Sequence, residues 1–578
     1  MARRCHIGWT TIVVVFALGI GAAAAYPGAP WFAPGRVYEQ NFPDPHVLYD
    51  PGSGFFYAYA TNTGGSVLPT MWSADGVTWV ADEDRFTPPG WAARVGGEAE
   101  LWAPAIHRLP NGSWRAYYAL RETSGSSQHR YCVSVAQGAG PLGPWVDRST
   151  EPLTCGYGSA GAIDPWLHVD DRGDPWLVWK VENHSTVRIA DDDVHFPLMP
   201  AEIEENEALV EDGGEAPTRH LAAARDAIWS QRLDTDGLAF AQPDDDDEPR
   251  NHASILLTAS SSGWEERIVE NPAMFVAGGR LHLLYSGGRW QSHEYATGWA
   301  TCSTPAGPCS RATSAPLLSF GGDVNGPGGA SVFVDRVGDL RIAYHAWNAP
   351  YVDYPSYPGC DDNGDRICAD EGQRFLHVDL LCLLPTGALH VDTPVGWRFC
   401  DVDPTRWYGT SVAWLADGEI TTGVSEGRFA PGTGLTRAQA VTMIWRWAGE
   451  PSVSDPHGFR DVDDGRFYTA AVRWAAATGV TRGTTAATFE PDAPVDRGQL
   501  ATMLHRAGGL PSPSGGVPFG DVPIDAYYAD AVAWAASVGV TTGFSPTEYR
   551  PDELATRAQF ATMLCRFDAV QHSHTNAC

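Results

Sequence analysis

The C-terminal third of the chain is one unit repeated three times, with equivalent residues 60 positions apart. The register is seen in Phe399/Phe459/Phe519, Trp414/Trp474/Trp534, Gly423/Gly483/Gly543, Arg437/Arg497/Arg557 and Met443/Met503/Met563. In each unit, Ala and Trp at helical spacing precede a glycine turn, and a Thr-Arg or Asp-Arg pair then begins a second helix. Each repeat is therefore predicted to be helix–loop–helix. Because so small a unit cannot bury its apolar face alone, the three are expected to pack together as an all-α domain.

Residues 36–390 have a different pattern, which is typical of an all-β fold. Short runs rich in Val, Tyr, Trp and Leu alternate with Gly, Asp and Asn turns, as at 114–120, 175–180, 281–286 and 340–347. Units of this kind recur at five places along residues 36–347. Such repetition favours a β-propeller, which closes its sheets radially and leaves little exposed edge. A double-sheet sandwich is the alternative.

Three isolated acidic residues lie in the β region, each beside a small residue or a proline. They are Asp44 in Asn-Phe-Pro-Asp-Pro-His, Asp164 in Gly-Ala-Ile-Asp-Pro-Trp and Glu270 in Ile-Val-Glu-Asn-Pro. Acids on separate blades of one fold suit sugar hydrolysis, which needs one carboxyl group to donate a proton and another to activate water. The alternative is that each acid is a turn residue, since Asp-Pro commonly initiates a turn.

The charge balance excludes some classes of partner. The chain has 39 Lys and Arg residues against 70 Asp and Glu residues, which gives a net charge of −31. A polyanion of this kind is not expected to bind nucleic acid or an anionic membrane surface. Lys180 is the only lysine, a bias that we interpret as genome composition.

Residues 1–25 are predicted to be a signal peptide. Arg3 and Arg4 form a short positive region, residues 12–20 are apolar, and Ala23–Ala25 offer a small-residue cleavage site before Tyr26. An uncleaved membrane anchor is the alternative, but the apolar stretch is short for a span. The mature protein is thus expected to be secreted and free of the membrane.

Export places the cysteines in an oxidising environment, where disulfides form. Of the 11 cysteines, Cys5 leaves with the signal peptide and ten remain. They form neighbouring pairs: Cys132/Cys155, Cys302/Cys309, Cys360/Cys368, Cys382/Cys400 and Cys565/Cys578. Sequential pairing is our interpretation, because sequence alone does not fix connectivity. No Cys/His spacing is typical of zinc, so no metal ligand is assigned.

Three acidic segments interrupt the β pattern. Residues 189–225 are interpreted as a charged surface insertion between blades, and residues 244–247 as an acidic loop. Residues 361–365 match part of a calcium-binding loop without its full ligand spacing. A cation site is the alternative interpretation for each of the three, and solvated loops are the interpretation we adopt.

The three C-terminal repeats resemble S-layer homology domains over residues 399–568. The matching signature is Phe-x-Asp-Val, Trp-Ala-x-x-x-Gly-Val-Thr-x-Gly, Phe-x-Pro and Thr-Arg-Ala-Gln-x-x-Thr-Met-Leu-x-Arg. The resemblance implies grooves that bind cell-wall polysaccharide, with Arg437, Arg497 and Arg557 as groove residues beside the early Asp and Trp of each repeat. The alternative is that the Arg side chains form salt bridges at the helix starts and that the Trp side chains belong to the core. The family usually has Glu where this chain has Gln439, Gln499 and Gln559.

The β region resembles glycoside hydrolase family 43, a family of five-bladed propellers, over residues 36–390. The motifs in family order are Phe42-Pro-Asp-Pro-His46, Glu100-Leu-Trp-Ala-Pro104, Gly143-Pro-Trp145, Ile163-Asp-Pro-Trp-Leu-His168, Val269-Glu-Asn-Pro272 and Tyr344-His-Ala-Trp347. There are two departures. The family more often has Glu-Gly-Pro at Glu270-Asn-Pro, and it often has a histidine after the second glycine of residues 326–331.

The resemblance also implies roles for individual residues in an inverting reaction. Asp44 is the general base, Glu270 the general acid, and Asp164 orients Glu270 and modulates its acidity. Trp102 and His345 are the expected substrate-binding residues, with Trp102 stacking on a sugar ring and His345 lining the propeller axis. Either could instead be a core residue. The chemistry requires no cofactor, and some relatives bind a structural calcium at the propeller centre.

The sequence therefore predicts a mainly β protein, a five-bladed propeller followed by three helix–loop–helix repeats. The predicted domains are 26–395, 399–456, 457–516 and 517–578. The predicted function is that of a cell-wall-anchored glycosidase acting on arabinose- or xylose-containing polysaccharides. Arabinan or other arabinofuranosyl substrates are favoured. Two alternatives stay open: a catalytically silent propeller that binds glycan, and a structural surface-layer protein.

Overall fold

The computed structural model describes most of both predicted regions. The described residues are 35–94, 99–123, 130–155, 161–182, 226–241, 253–260, 262–321, 324–348, 351–352, 354, 372–392, 399–425 and 427–572. The predicted signal peptide, the insertion at 189–225 and the acidic loops at 244–247 and 361–365 all lie outside these ranges. Among the described residues, no helix combines the length and the apolarity that a membrane crossing requires.

The β region forms five antiparallel blades. Blade 1 contains β2 (His46–Asp50), β3 (Phe55–Tyr59), β4 (Thr70–Ser73) and β5 (Val80–Ala81). Blade 2 contains β7 (Leu101–Arg108), β8 (Trp114–Arg121), β9 (Tyr131–Gly138) and β10 (Trp145–Val146), with β6 (Phe86–Thr87) at its edge. Blade 3 contains β11 (Gly161–Val169), β12 (Pro175–Glu182), β13 (Ala227–Arg232) and β14 (Ser254–Thr258). Blade 4 contains β15 (Val269–Ala277), β16 (Arg280–Gly287), β17 (Ala296–Cys302) and β18 (Cys309–Arg311).

Blade 5 closes the circle with strands from both ends of the β region. Its inner strands are β19 (Gly328–Val334), β20 (Leu340–Trp347) and β21 (Arg374–Leu383). The outer edge of β21 is shared by the N-terminal strand β1 (Gly35–Tyr38) and by β22 (Leu389–Asp392). The innermost strands contact one another in the cyclic order β2, β7, β11, β15, β19 and back to β2. The propeller predicted from the sequence is confirmed, and the sandwich alternative is wrong.

Each innermost strand carries the same irregularity at the propeller axis. One residue per blade has a positive φ: Asp44 (49°), Ala103 (43°), Asp164 (55°), Asn271 (45°) and Gly329 (61°). In four blades this residue directly precedes a proline, and in four the strand pairing shifts register there. Non-glycine residues adopt this conformation rarely and usually at functional positions. The repeated bulge therefore brings one residue of each blade to the axis.

Three of the predicted disulfides are present among the described residues. They are Cys132–Cys155 in blade 2, Cys302–Cys309 in blade 4 and Cys382–Cys400. The last bond joins β21 of the propeller to the first C-terminal repeat. Cys565 is also disulfide-bonded, whereas Cys360, Cys368 and Cys578 lie outside the described residues.

The C-terminal region contains two helices per repeat, as predicted. They are α1 (Gly409–Asp417), α2 (Arg437–Trp447), α3 (Thr469–Ala477), α4 (Arg497–Ala507), α5 (Ala529–Ser537) and α6 (Arg557–His572). The second helix of each repeat packs on the first helix of the next repeat, and α6 returns to pack on α1. The three repeats therefore form one closed unit with a shared core, which explains why none is expected to fold alone.

A triangle of backbone hydrogen bonds lies at the centre of the helical domain. The Leu435 amide donates to the Ala555 carbonyl (3.1 Å), the Ala555 amide to Val495 (2.9 Å) and the Val495 amide to Leu435 (2.9 Å). The three residues are equivalent in the 60-residue register. Each precedes the capped start of a second helix, so the triangle fixes the relative positions of those three helices.

Candidate functional site

The bulged residues of all five blades line one pocket on the propeller axis. Its walls contain Asp44, Ala103, Asp164, Asn271 and Gly329 together with the residues that follow them. The three acids predicted from the sequence are therefore brought together: Asp44 and Asp164 line the pocket, and Glu270 precedes Asn271 at its edge. The convergence results from the propeller topology, because the three acids lie more than 100 residues apart in sequence.

Asp44 is held by a hydroxyl group and a guanidinium group. Its Oδ2 accepts a hydrogen bond from the Thr61 hydroxyl (2.7 Å), and its Oδ1 lies 3.3 Å from an Arg374 nitrogen. Thr61 Oγ1 in turn accepts from the Ala103 amide (2.9 Å), which connects blades 1 and 2. A carboxylate with fixed donors on both oxygens is kept in one orientation. Asp44 thus has the geometry of an oriented, ionised base.

Arg374 reaches Asp44 from within an aromatic cage. Its guanidinium lies 5.0 Å from the ring centre of Trp290, 5.7 Å from Trp347 and 5.3 Å from Tyr354, and its Nε donates to the Tyr354 hydroxyl at 2.9 Å. Burial opposes its charge, but Asp44 and Tyr354 outweigh this and raise the pKa of Arg374. The cation is therefore permanent.

Glu270 has different neighbours. Its Oε2 accepts a hydrogen bond from Lys180 Nζ (2.8 Å), and its Oε1 accepts one from the Tyr295 hydroxyl (2.6 Å). The same hydroxyl lies 2.9 Å from Asn271 Oδ1. A hydroxyl has one proton and cannot donate to both acceptors at once. A proton on Glu270 Oε1 would satisfy all three groups, with Glu270 donating to Tyr295 and Tyr295 to Asn271.

Asp164 is buried and interacts electrostatically with both other acids. Burial, followed by the negative charge of Glu270, raises the pKa of Asp164 well above its usual value, and Lys180 opposes this shift. The Asn271 amide donates to Asp164 Oδ2 at 3.0 Å. Burial and the neighbouring carboxyl groups therefore favour the protonated form of Asp164.

The two other predicted pocket residues have distinct surroundings. Trp102 is half-buried, and one face of its ring stacks on Tyr131 with the ring centres 3.8 Å apart. His345 is completely buried. Its Nδ1 accepts a hydrogen bond from the Asp44 amide (3.1 Å), and its ring stacks on Tyr295. A direct sugar contact by His345, which the sequence favoured, would require this packing to open.

His345 is a poor fit for a directly bound calcium ion. Burial, followed by the charge of Arg374, keeps the pKa of His345 well below its usual value, so the ring is neutral. Because Nδ1 already accepts the Asp44 amide, the ring proton must lie on Nε2, which is then a donor and not a metal ligand. Among the described residues, the side chains at the axis do not support calcium bound to His345.

Several site residues were not identified from the sequence. They are Thr61, Lys180, Tyr295 and Arg374, together with Asn271 as a partner of Tyr295. Thr61 and Tyr295 lie in loops, and Lys180 and Arg374 lie on strands other than the innermost ones, with no motif that marks them. One signal was available for Lys180, because a unique lysine in an arginine-rich chain is unusual.

The predicted groove arginines are buried between repeats. Arg437 Nε donates to the Phe489 carbonyl (2.7 Å), Arg497 Nε to Tyr549 (2.8 Å) and Arg557 Nε to Phe429 (2.6 Å). Each guanidinium also lies 4.6–4.9 Å from the ring centre of the same aromatic residue. Every arginine therefore fastens its repeat to another through a backbone carbonyl and an aromatic ring.

The glutamines that depart from the family pattern cap helices. Thr436 and Gln439 bond reciprocally to each other's amides, as do Thr556 and Gln559. In the second repeat, Asp496 alone caps α4 and the Gln499 side chain accepts from Arg437 instead (3.1 Å). A glutamine serves a capping box as a glutamate does.

Removing the Arg557 guanidinium is expected to open the junction between the third and first repeats. Arg557→Met leaves the Phe429 carbonyl without its buried donor, which should cost about 2 kcal/mol. Hydrogen exchange of the α1 and α6 amides measures this as faster local opening. Arg406→Met is the matched control, because Arg406 is 67% exposed and only contacts Asp403 (3.6 Å). Equal protection in the two variants would contradict the assigned contact.

Comparisons with known proteins match both regions to families. The model of glycosyl hydrolases family 43 matches residues 36–208, and the S-layer homology domain matches residues 398–441, 458–501 and 518–561. Asp44 and Asp164 lie inside the first match, and Glu270 lies beyond it.

Individual relatives match parts of the chain. An S-layer protein of Bacillus thuringiensis subsp. finitimus is 28% identical over 34% of this chain and 24% of its own length. The extracellular endo-alpha-(1->5)-L-arabinanase 1 of Bacillus subtilis (strain 168) is 27% identical over 27% of this chain and 47% of its own. The chain thus spans less than half the length of these relatives.

Solved structures also match the propeller. An alpha-L-arabinofuranosidase from Lactobacillus brevis aligns with 62% of this chain and 96% of its own, at 17% identity and a TM-score of 0.42. The chain carries a family 43 glycosyl hydrolase domain followed by three S-layer homology domains, the architecture of a secreted protein attached to the cell surface.

Proposed function

We propose that the chain is a glycosidase that hydrolyses O-glycosidic bonds with inversion at the anomeric carbon. One observation carries the proposal: Asp44, Asp164 and Glu270 converge at one axial pocket with different partners. Asp44 is paired with the Arg374 guanidinium and the Thr61 hydroxyl, whereas Glu270 contacts the Lys180 ammonium and the Tyr295 hydroxyl. Two carboxyl groups in different environments are what acid and base roles require.

In the proposed reaction, Asp44 removes a proton from a water molecule as its oxygen forms a bond to the anomeric carbon. Glu270 donates its proton to the glycosidic oxygen, and the bond between that oxygen and the anomeric carbon breaks. The leaving sugar departs as an alcohol. Asp44 then loses its proton to solvent and Glu270 regains one, so the two carboxyl groups return to their starting states.

The proposed substrates are polysaccharides that contain arabinose or xylose, with arabinofuranosyl linkages favoured. Matching proteins described as an endo-arabinanase and an arabinofuranosidase support this choice. The proposal includes no cofactor in the chemistry.

The three S-layer homology domains are proposed to hold the enzyme on cell-wall polysaccharide. Trp407, Phe467 and Tyr527 occupy equivalent positions in the three repeats and are 61–64% exposed. Exposed aromatic rings that repeat with the domain offer flat apolar faces for sugars. We propose them as wall-glycan contacts, with Arg437, Arg497 and Arg557 behind them supporting the repeat interfaces.

Product release by the secreted full chain tests the catalytic proposal. The panel is an aryl α-L-arabinofuranoside, an aryl β-D-xyloside, linear arabinan and arabinoxylan, with the variant Asp44→Asn/Glu270→Gln as the blank for contaminating activity. We expect release above the blank from at least one arabinose-containing substrate. NMR of the first sugar formed should show the inverted anomer. A folded chain that is inactive on all four substrates would overturn the proposal.

A further inference from the structure

The single lysine of the chain lies at the candidate active site. Of the 39 basic residues, only Lys180 is not arginine. Its side chain is 3% exposed. Lys180 belongs to β12 in blade 3, where its cross-strand neighbours are Ile163, next to Asp164, and Ile228. A charged group this deeply buried requires ionic partners nearby.

The ammonium group of Lys180 joins two carboxyl groups of different blades. It donates to Glu270 Oε2 at 2.8 Å and lies 3.1 Å from Asp226 Oδ2. Asp226 directly precedes β13, and its amide and carbonyl hydrogen-bond with Arg267 and Ala259. Lys180 therefore anchors Glu270 of blade 4 to the backbone-fixed Asp226 of blade 3.

The charges around Glu270 give Lys180 a distinct position. Three acids interact electrostatically with Glu270 or with its partners Lys180 and Tyr295: Asp44, Asp164 and Asp226. The Tyr295 hydroxyl contacts Glu270 directly. Arg374 is engaged with Asp44. Among the described residues, Lys180 is thus the cation in direct contact with Glu270, and its charge offsets those of Asp164 and Asp226.

The choice of lysine has a physical reason. An ammonium group is a compact donor that fits between two carboxyl groups, here those of Asp226 in blade 3 and Glu270 in blade 4. A guanidinium is planar and wider, and it favours side-on pairing with one carboxylate. Arginine occupies all of the other basic positions of the chain, and this site alone has the smaller cation.

We propose that Lys180 is a positioning residue that fixes Glu270 and sets the pH above which Glu270 no longer supplies its proton. This inference rests on the proposed function and extends it by one residue. Removing a positive charge at 2.8 Å makes loss of the proton from Glu270 harder. The alkaline limb of kcat/KM, which reports the essential acid of the free enzyme, should then move to higher pH.

The variants are chosen so that folding does not obscure the result. Lys180→Met alone removes the ammonium group that lies 3.1 Å from the buried Asp226 carboxyl, so the double variant Lys180→Met/Asp226→Asn removes both charges. We expect its alkaline limb to move up by roughly one pH unit or more, because Lys180 is closer to Glu270 than Asp226 is. Asp226→Asn alone should move the limb down, since it removes only a negative charge. An equal loss of rate at all pH values, with both limbs unmoved, would overturn the proposal.

A second measurement does not depend on activity. Because Lys180 is unique, lysine-selective ¹³C/¹⁵N labelling of the full chain yields one side-chain ammonium signal. Its chemical shift should change with pH in a step that is lost in Glu270→Gln. A step that persists unchanged in Glu270→Gln would overturn the coupling. If the wild type hydrolyses nothing, the proposed function fails, and this signal still decides whether Lys180 is coupled to Glu270.

Discussion

Glu270→Gln is expected to abolish cleavage of unactivated linkages while sparing substrates that need no acid. On arabinan, kcat/KM should fall by about 10³-fold, because glutamine cannot protonate the departing sugar oxygen. A dinitrophenyl glycoside has a leaving group that departs as an anion, so its kcat/KM should stay within roughly tenfold of the wild type. Side-by-side initial rates on the two substrates measure the contrast.

Asp44→Asn is expected to impair the cleavage of both substrates, in contrast to Glu270→Gln. Without a base, attack by water is slow whatever the leaving group, so both substrates should lose about 10³-fold or more. Glu266→Gln is the matched control, because Glu266 lies in the turn just before β15, the strand that carries Glu270, but is exposed and lies 3.9 Å from Arg289. The control should keep full activity. If Glu270→Gln lost both substrates equally, Glu270 would not be the acid.

The fold was predictable because its signals are local and repeated. Leu340–Trp347 is a strand in the structure with the bounds that its turn and aromatic pattern predicted. The capped starts of α2, α4 and α6 were visible as Thr436, Asp496 and Thr556 before arginine. Each of these features depends on residues within a few positions of one another, which a sequence pattern records directly.

The acids of the pocket were predictable, and most of their partners were not. Asp44, Asp164 and Glu270 belong to turn-like motifs that recur in order along the chain. Lys180 and Arg374 reach them from other strands, through contacts spanning 90 and 330 residues. No local pattern encodes such contacts, because the propeller closure alone creates them.

The repeat arginines show a different limit of sequence reasoning. Arg437, Arg497 and Arg557 recur in register, and recurrence by itself fits a ligand contact and a repeat interface equally well. Burial distinguishes the two, and all three are at most 4% exposed. The exposed aromatic residues at Trp407, Phe467 and Tyr527 recur just as regularly, and only the structure separates them from the buried aromatic residues beside them.

As the pH is lowered, the propeller is expected to unfold at a pH well above that at which ordinary carboxylates protonate. Six described propeller histidines have lowered pKa values, chiefly because of burial. The pKa of His46 falls to about 3 and that of His377 to about 4, those of His107 and His345 lie well below the usual value, and those of His168 and His282 lie below it. In the unfolded chain these residues titrate near 6.5. Below that pH the unfolded state binds more protons than the folded state, so stability falls as the pH falls.

Asp164 acts in the opposite direction, because its raised pKa means that the folded state takes up a proton first. One such group offsets only part of the loss from six histidines. Calorimetry of the full chain between pH 7 and pH 4 should therefore show the propeller transition moving steeply downward. A transition that stays level across this range would contradict the assigned burial of the six rings.

His377→Phe isolates one contribution to this acid sensitivity. The His377 ring stacks on Tyr344 with the ring centres 5.2 Å apart, and phenylalanine keeps the flat shape but cannot bind a proton. Between pH 6.5 and pH 4, protonation of His377 in the unfolded state lowers the free energy of unfolding of the wild type by about 1.4 kcal/mol per pH unit. At pH 4 the variant should therefore be about 3 kcal/mol more stable than the wild type. At pH 7 no such gain is expected, because the ring is neutral in both states. A gain of equal size at pH 7 and pH 4 would mean that phenylalanine merely packs better, and titration of His377 would then not be the cause.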